Sequence, residues 1–368
     1  MYTTVEHGGV LSNHKGINRK GGGLTATALT DKDLDDIRVA AHLRADYLAV
    51  SFPRSGHDVR LARELLRAAG GTGLVVAKIE RAEAIAALDE ILDASDAIMV
   101  ARGDLAVEVG DAAVPGLQKR IIRQARGNNR LTITATQMME SMIHSPIPTR
   151  AEVSDVANAV LDGTDAVMLS AETAAGDYPV QAVAAMSRVC LEAEKETTPA
   201  PDRRQIPSLA SKVEESIAQA VVHTAANLDI KAIAALTQSG MTALLISRRT
   251  TSVPIYALTP LTETRRRVTL FRGVYPVRFK TPSRNPEEVL AEAEHGARHR
   301  EAEERPHERP DEHRARCRWL RVLARRVRAR RRSGDVGRRP AGGAAGHLEG
   351  VESRRPQRRG RRPPAATR

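Results

Sequence analysis

GLVVAKIE, residues 73–80, together with AIMVARGDL, residues 97–105, decides the fold of this 368-residue chain. Each stretch begins as an uncharged apolar run, which is typical of a strand in a parallel sheet that helices cover on both faces. Each ends in charged residues, with Lys78 and Glu80 closing the first and Asp104 near the end of the second. In a barrel of alternating strands and helices, functional residues collect where strands end.

These three side chains indicate a binding site at the strand ends. An ammonium and two carboxylates brought together suit a divalent cation and an oxyanion. The alternative is a surface salt bridge, which would contribute little to stability. We favour the site, because Lys78, Glu80 and Asp104 all lie at strand ends and not along helix faces.

The surrounding sequence alternates strand and helix patterns five times. A capping-box pattern from Thr30 to Asp33 first predicts a helix over residues 34–41. Apolar runs then predict strands over residues 47–51, 74–80, 97–101, 131–136 and 166–170. Helical spacing predicts helices over residues 58–69, 82–92, 115–126, 150–161 and 179–193. Five βα units in a row favour a partial (β/α)8 TIM barrel over a doubly wound sheet.

A smaller α/β block follows a proline-rich stretch. Helical spacing predicts helices over residues 213–228 and 241–248, and apolar runs predict strands over residues 232–236 and 255–258. The periodicity stops near residue 295, so we expect a truncated small α/β domain.

The formal charge of +12 is concentrated in the C-terminal stretch. Residues 296–368 contain 23 Arg, no Lys and nine acidic residues, whereas residues 1–295 carry a formal charge of −2. A sequence so rich in Arg, Ala, Gly and Pro is typical of GC-rich DNA translated in the wrong reading frame. We therefore favour a frameshifted or otherwise non-native, disordered tail. A disordered nucleic-acid-binding arm is the competing interpretation, although Trp319 is its one aromatic residue and offers little base stacking.

The cysteine content and hydropathy favour a cytoplasmic protein. Cys190 and Cys317 are too few for a disulfide framework. No uncharged apolar run reaches the length of a bilayer, and residues 1–30 lack the apolar core of a signal peptide. We therefore expect no membrane partner.

Several longer segments closely resemble pyruvate kinase of the bacterial type. The segments are LSNHKGIN (11–18), DYLAVSFP (46–53), AKIE (77–80), MVARGDL (99–105), TATQMMESM (134–142), PTRAEVSDVANAVLDGTDAVML (148–169) and SAETAAGDYP (170–179). The likeness extends from about residue 3 to about residue 290 and includes motifs of mixed chemistry.

This resemblance implies roles for the strand-end residues. Lys78 matches the family's lysine beside the transferring phosphoryl group and the enolate oxygen, where it would stabilise developing charge. Glu80 and Asp104 match the carboxylate ligands of Mg²⁺ or Mn²⁺. Gly103 and Asp104 match positions whose backbone N–H groups hold the substrate carboxylate at a helix start, with the glycine allowing close approach. Thr136 matches a threonine that contacts substrate and is implicated in the proton step.

Other positions match residues that the family places near its site. Arg102, Gln137, Ser170 and Glu172 fall in this group without an assigned role. Lys15 matches a basic residue near the nucleotide phosphates, and a solvated loop lysine is the alternative.

The implied reaction is phosphoryl transfer from phosphoenolpyruvate to ADP, giving pyruvate and ATP. The resemblance also implies a homotetramer, with assembly surfaces partly missing here, and a K⁺ ion whose ligands belong to a missing N-terminal region. Because three barrel strands are also missing, we expect impaired activity. The alternatives are an inactive remnant and a Mg²⁺-dependent enolate-type barrel lyase or aldolase.

Five segments follow from the resemblance and the composition. We expect a remnant of an inserted β-domain with its return loop, a partial TIM-barrel catalytic domain, a linker, a truncated α/β domain and the Arg-rich tail, over residues 1–20, 21–196, 197–210, 211–295 and 296–368.

Overall fold

A computed structural model gives the architecture of the chain. It describes residues 4, 8–9, 20–21, 27–196, 212–228, 230–279, 288, 291, 295 and 318–322. Within these residues, none of the helices combines the length and the apolar character needed to cross a membrane. The predicted linker, most of segment 1–20 and most of the tail lie outside them.

The first sheet has five parallel strands in chain order. They are β1 Tyr47–Val50, β2 Leu74–Ile79, β3 Ala97–Ala101, β4 Leu131–Ala135 and β5 Ala166–Val167. Each strand pairs in parallel with the next, as in the pairs Lys78↔Met99 and Ala101↔Ala135. Because the order never reverses, this is the sheet of a partial β/α-barrel, and that prediction is confirmed.

In the part of the chain that the structure describes, nine α-helices and two 3-10 turns accompany these strands. The helices are α1 Asp31–His42, α2 Gly56–Ala68, α3 Ala82–Ala86, α4 Leu88–Ala94, α5 Arg102–Val109, α6 Val114–Gly127, α7 Arg150–Asp162, α8 Ala171–Ala174 and α9 Pro179–Lys195, and the turns are Asp111–Ala113 and Glu140–Ile143. The single helix predicted over residues 82–92 is divided at Ala87, whose backbone (φ −94°, ψ 17°) leaves the helical range.

Local sequence explains where two of these helices begin. Thr30 and Asp33 form a capping box at α1, and Thr149 and Glu152 form another at α7. In each, the threonine hydroxyl accepts the N–H of the acidic residue, whose carboxylate accepts the threonine N–H. These exchanges satisfy donors that a helix start leaves without a partner.

Hydrophobic packing covers both faces of the sheet. On one face, Val75, Ala77 and Ile98 pack in a cluster with the helical residues Leu66 and Ile121. The alternate residues of the same strands belong to a second cluster. That cluster continues into the smaller α/β part, so the two parts share one hydrophobic core.

The smaller part is built on a second parallel sheet. Its strands are β6 Ile230–Leu236, β7 Ile255–Thr259, β8 Val274–Arg278 and β9 Arg318–Val322, in the order β8-β7-β6-β9. Its helices are α10 Lys212–Asn227, α11 Met241–Arg248 and α12 Thr262–Val268. The predicted α/β class of this part is confirmed.

In the barrel sheet, β5 ends at Val167 and not at residue 170 as predicted, and the short helices α5 and α8 were not predicted. Three elements of the smaller part and the tail also differ from the sequence expectation. The strongly charged α12 was not predicted, and β8 contains Pro276, which is tolerated because β8 is an edge strand. β9 lies inside the tail that we expected to be disordered. Trp319 and Val322 are residue types common in strands, and β6 offers the edge with which β9 pairs.

Candidate active site

The carboxyl end of β2 places an ammonium and a carboxylate side by side. Lys78 and Glu80 are two residues apart, so their side chains share one face of the strand. Lys78 Nζ lies 2.7 Å from Glu80 Oε1 and donates a hydrogen bond to Ser51 Oγ at 3.0 Å. The Phe52 N–H donates to Glu80 Oε2 at 2.8 Å. The ends of β1 and β2 therefore build one polar cluster.

The Glu80 carboxylate is almost fully buried. Its side chain is 1% exposed, against 25% for Lys78. Burial raises the pKa of Glu80, and the charge of Asp104 adds to the rise, while the Lys78 ammonium and the Phe52 N–H oppose it. Glu80 Oε1 has the Lys78 ammonium as its partner, at 2.7 Å.

The carboxylate oxygens of Glu80 and Asp104 are suitable ligands for a hard divalent cation. The buried carboxylate of Glu80, whose pKa is raised in part by the charge of Asp104, offers the kind of oxygen ligand that Mg²⁺ and Mn²⁺ take. Among the described residues, no group of three or more His, Cys, Asp or Glu side chains forms a metal-binding cluster. Glu80 and Asp104 would therefore supply only part of the coordination shell, and water or substrate oxygens would supply the rest.

The start of α5 contacts the end of β4. The Gly103 N–H donates to Thr136 Oγ1 at 2.9 Å, and this hydroxyl donates to Ala135 O at 2.7 Å. The Gly103 N–H, expected to hold a substrate carboxylate, thus has the Thr136 hydroxyl as its acceptor here. A Cβ at position 103 would lie 3.6 Å from Thr136 Oγ1, an ordinary contact, so the surrounding protein leaves space for a side chain there.

Arg102 lies buried at the same strand ends. Its guanidinium donates to the carbonyl oxygens of Thr136 and Gln137 at 2.7 and 3.0 Å. It also pairs with Asp155 Oδ2 at 2.5 Å. The Gln137 residue itself is exposed. Arg102 is therefore connected to the loop that carries Thr136.

Glu172 connects two strand-end loops. Its residue is 2% exposed. Oε1 accepts the Met139 N–H at 3.1 Å, and Oε2 accepts the Ser170 N–H at 2.7 Å. Both carboxylate oxygens are thus used by backbone groups, so Glu172 fixes the loops that follow β4 and β5.

The sequence interpretation omitted three of these residues. Ser51 and Phe52 follow β1 directly, so the rule that selected Lys78 and Glu80 could have found them. Asp155 lies on α7, and its pairing with Arg102 had no local signal. Lys15 lies outside the described residues.

Comparison with known proteins gives the same family over most of the chain. Residues 1–183 match the family description "Pyruvate kinase, barrel domain", and residues 215–305 match "Pyruvate kinase, alpha/beta domain". The second match ends beyond residue 295, where we expected the α/β domain to stop.

Individual relatives carry the same name. The chain is 56% identical to "Pyruvate kinase II" of Salmonella typhimurium over 283 residues. This aligned stretch covers 76% of this chain and 59% of the relative. The chain is 54% identical over 288 residues to a pyruvate kinase of Haemophilus influenzae, covering 77% and 60%. It is 44% identical over 304 residues to that of Methylorubrum extorquens, covering 82% and 63%. The chain thus spans about three-fifths of the length of these relatives.

The barrel-type sheet, its strand-end residues and these matches define a phosphotransferase family with a β/α-barrel followed by a smaller α/β domain. The chain belongs to the pyruvate kinase family.

Proposed function

We propose that the strand-end cluster is the site of phosphoryl transfer from phosphoenolpyruvate to ADP, giving pyruvate and ATP. The observation that carries this proposal is the contact of 2.7 Å between Lys78 Nζ and Glu80 Oε1 at the carboxyl edge of the barrel sheet. This contact sets the Lys78 ammonium beside a buried carboxylate. The ammonium can bind an anionic phosphate substrate, and the carboxylate can bind the divalent cation that accompanies it.

Lys78 is proposed to stabilise negative charge that develops during transfer. Its side chain is 25% exposed, so solvent and a substrate can reach it, while Ser51 and Glu80 hold the ammonium in place. A charge fixed in advance stabilises a transition state without reorganising at the moment of reaction.

Glu80 and Asp104 are proposed to hold Mg²⁺ or Mn²⁺. The cation, when bound, would neutralise phosphate charge. The buried carboxylate of Glu80 supports this assignment, because carboxylate oxygens are the ligands that these hard cations take.

The reaction balances when one proton is taken up from the solvent. A terminal oxygen of ADP forms a bond to phosphorus, and the bond from phosphorus to the enol oxygen breaks with its electron pair on that oxygen. The enolate then takes a proton at its methylene carbon. We propose that Gly103 and Asp104, at the start of α5, orient the substrate carboxylate. We also propose that the Thr136 hydroxyl lies beside the methylene carbon that receives the proton.

The finer assignments rest on the family resemblance. We propose the cytoplasm as the location, and ADP and ATP as nucleotide partners. A homotetramer, a K⁺ requirement and impaired turnover stay predictions.

Pyruvate formation by the purified 368-residue chain tests the proposal. The assay supplies phosphoenolpyruvate, ADP and Mg²⁺, and detects pyruvate with lactate dehydrogenase. We expect ADP-dependent pyruvate formation, slow if the chain is impaired, that Lys78→Met lowers by about 10²–10³-fold. Lys32→Met is the matched control, because Lys32 is an exposed lysine on α1, and it should leave the rate unchanged.

Three outcomes contradict the proposal. If Lys78→Met forms pyruvate as fast as wild type does, the role proposed for Lys78 is wrong. Pyruvate formation that does not need ADP revives the lyase alternative. A chain that neither forms pyruvate nor binds Mn²⁺ together with phosphoenolpyruvate is an inactive remnant.

A further inference from the structure

The Arg102 guanidinium contacts five groups at the carboxyl end of the barrel sheet. The Arg102 side chain is 8% exposed. Its nitrogens contact Ala135 O at 3.4 Å, Thr136 O at 2.7 Å, Gln137 O at 3.0 Å, Met138 Sδ at 2.8 Å and Asp155 Oδ2 at 2.5 Å. Four of these five partners are consecutive residues that end β4 and begin the next loop.

That loop has a strained backbone. Thr136 and Gln137 have φ angles of +64° and +54°, in the left-handed region that residues with a Cβ rarely adopt. The left-handed conformation is unfavourable for residues with a Cβ, and for the β-branched threonine it is especially rare. Surrounding contacts must therefore hold the turn, and one Arg102 nitrogen donates to the carbonyl oxygens of both residues.

We propose that Arg102 is a positioning residue of the active site, which holds the Thr136–Gln137 turn in its left-handed form. This inference rests on the proposed function and deepens it. The turn places Thr136 Oγ1 2.9 Å from the Gly103 N, where the substrate carboxylate is proposed to bind. Arg102 thereby fixes the hydroxyl without contacting the substrate itself.

A lysine cannot reproduce these contacts. The guanidinium is planar and carries five N–H donors spread over three nitrogens, so it can reach several carbonyl oxygens and a carboxylate together. An ammonium keeps the charge but concentrates its donors on one atom. Arg102→Lys therefore separates the geometry of the contacts from their charge.

Hydrogen–deuterium exchange on the full chain tests the positioning without relying on activity. In Arg102→Lys we expect amide exchange to become about tenfold faster in residues 134–139 and at Gly103, with the other strands unchanged, because loss of one or two hydrogen bonds loosens the loop locally. Arg126→Lys is the matched control. Arg126 also donates to backbone carbonyls, those of Gly163 and Arg248, but away from this loop.

Two exchange results overturn the proposal. One is unchanged exchange in residues 134–139 of Arg102→Lys. The other is the same loosening of this loop in Arg126→Lys, which would assign Arg102 a general role in stability. If Arg102→Lys does not fold, Asp155→Asn replaces it, because Asp155 is 40% exposed and its loss leaves the carbonyl contacts in place. We expect a smaller change of the same sign, and no change overturns the proposal.

Steady-state kinetics then connect the turn to chemistry. We expect Arg102→Lys to lower kcat by about 10–100-fold, because small displacements of a reacting group have effects of this size, with KM for phosphoenolpyruvate within about threefold. Mn²⁺ affinity should stay unchanged. A wild-type kcat in Arg102→Lys overturns the proposal. If the wild-type chain shows no turnover, the proposed function fails, and the exchange experiment still decides the positioning of the turn.

Discussion

Arg248, in the last turn of α11, forms a buried ion pair with Asp165, just before β5. Their side chains are 2% and 0% exposed, and Arg248 Nη1 lies 2.8 Å from Asp165 Oδ2. Asp165 also accepts the backbone N–H groups of Thr132 and Arg272. One carboxylate thus joins two neighbouring barrel strands to the smaller α/β part, at the end of the barrel sheet opposite the proposed site.

The first prediction is that Asp165→Asn destabilises the chain strongly. The substitution leaves the Arg248 guanidinium buried without its charge partner, and breaking one side of such a pair typically costs about 3–5 kcal/mol. Denaturation in urea at neutral pH measures the loss. Asp36→Asn removes a carboxylate from an exposed pair on α1 and should leave the midpoint unchanged. Equal midpoints for wild type and Asp165→Asn would show that the pair contributes nothing.

The second prediction concerns the pH dependence of this contribution. Although burial opposes it, the Arg248 guanidinium, with the Thr132 and Arg272 N–H groups, keeps the pKa of Asp165 below its usual range in the folded chain. The stabilisation by this ion pair is therefore fully present when the pH is above the pKa of an unfolded aspartate, about 3.9. It is lost as the pH falls through the lower pKa that Asp165 has in the folded chain. The difference in unfolding free energy between wild type and Asp165→Asn should be constant from pH 7 to about 5 and shrink below about 4. A difference that grows in acid contradicts this.

The third prediction concerns the two loops that Glu172 connects. Glu172→Gln retains the shape but replaces one carboxylate oxygen by an NH₂ group, so either the Met139 or the Ser170 N–H loses its acceptor. We expect a loss of about 1–3 kcal/mol in unfolding free energy, since a buried donor is left without a partner. Thermal unfolding measures it, with Glu192→Gln on the exposed face of α9 as the control. If Glu172→Gln unfolds at the same Tm as wild type, Glu172 does not stabilise these two loops.

The fourth prediction compares two glycines. At Gly103 a Cβ meets nothing closer than 3.6 Å, so Gly103→Ala should fold with stability equal to wild type or higher by up to about 1 kcal/mol. Gly163 ends α7 with φ +93°, and a Cβ there lies 3.1 Å from Arg126 Nε. Gly163→Ala should lose about 1–2 kcal/mol. Equal losses in both variants, measured by urea denaturation, would contradict the steric comparison.

Most of the barrel sheet could be predicted from the sequence. Covered parallel strands are apolar on both faces, so β3 stands out from its flanking residues, and β2 and β4 differ from prediction by one residue at an end. The capping box at Thr30 was also predictable, because it depends on neighbouring residues only. The break at Ala87 was not, because the sequence around it continues the helical pattern.

The candidate site was predictable where it follows strand periodicity. Lys78 and Glu80 share a face because they are two residues apart. The contacts of Arg102 with Thr136 and with Asp155 span 34 and 53 residues of sequence, and no local pattern encodes them. The ion pair of Asp165 with Arg248 likewise depends on how two separate sheets pack. Such contacts follow from the tertiary fold and not from spacing.

Binding of Mn²⁺ tests the central claim most directly, because it probes the carboxylates of the proposed site without requiring turnover. Free Mn²⁺ is followed by electron paramagnetic resonance with and without phosphoenolpyruvate, for wild type, Glu80→Gln and the exposed control Glu90→Gln. We predict binding that phosphoenolpyruvate strengthens, weakened by at least about tenfold in Glu80→Gln and unchanged in Glu90→Gln. Equal Mn²⁺ affinity in wild type and Glu80→Gln would contradict the account.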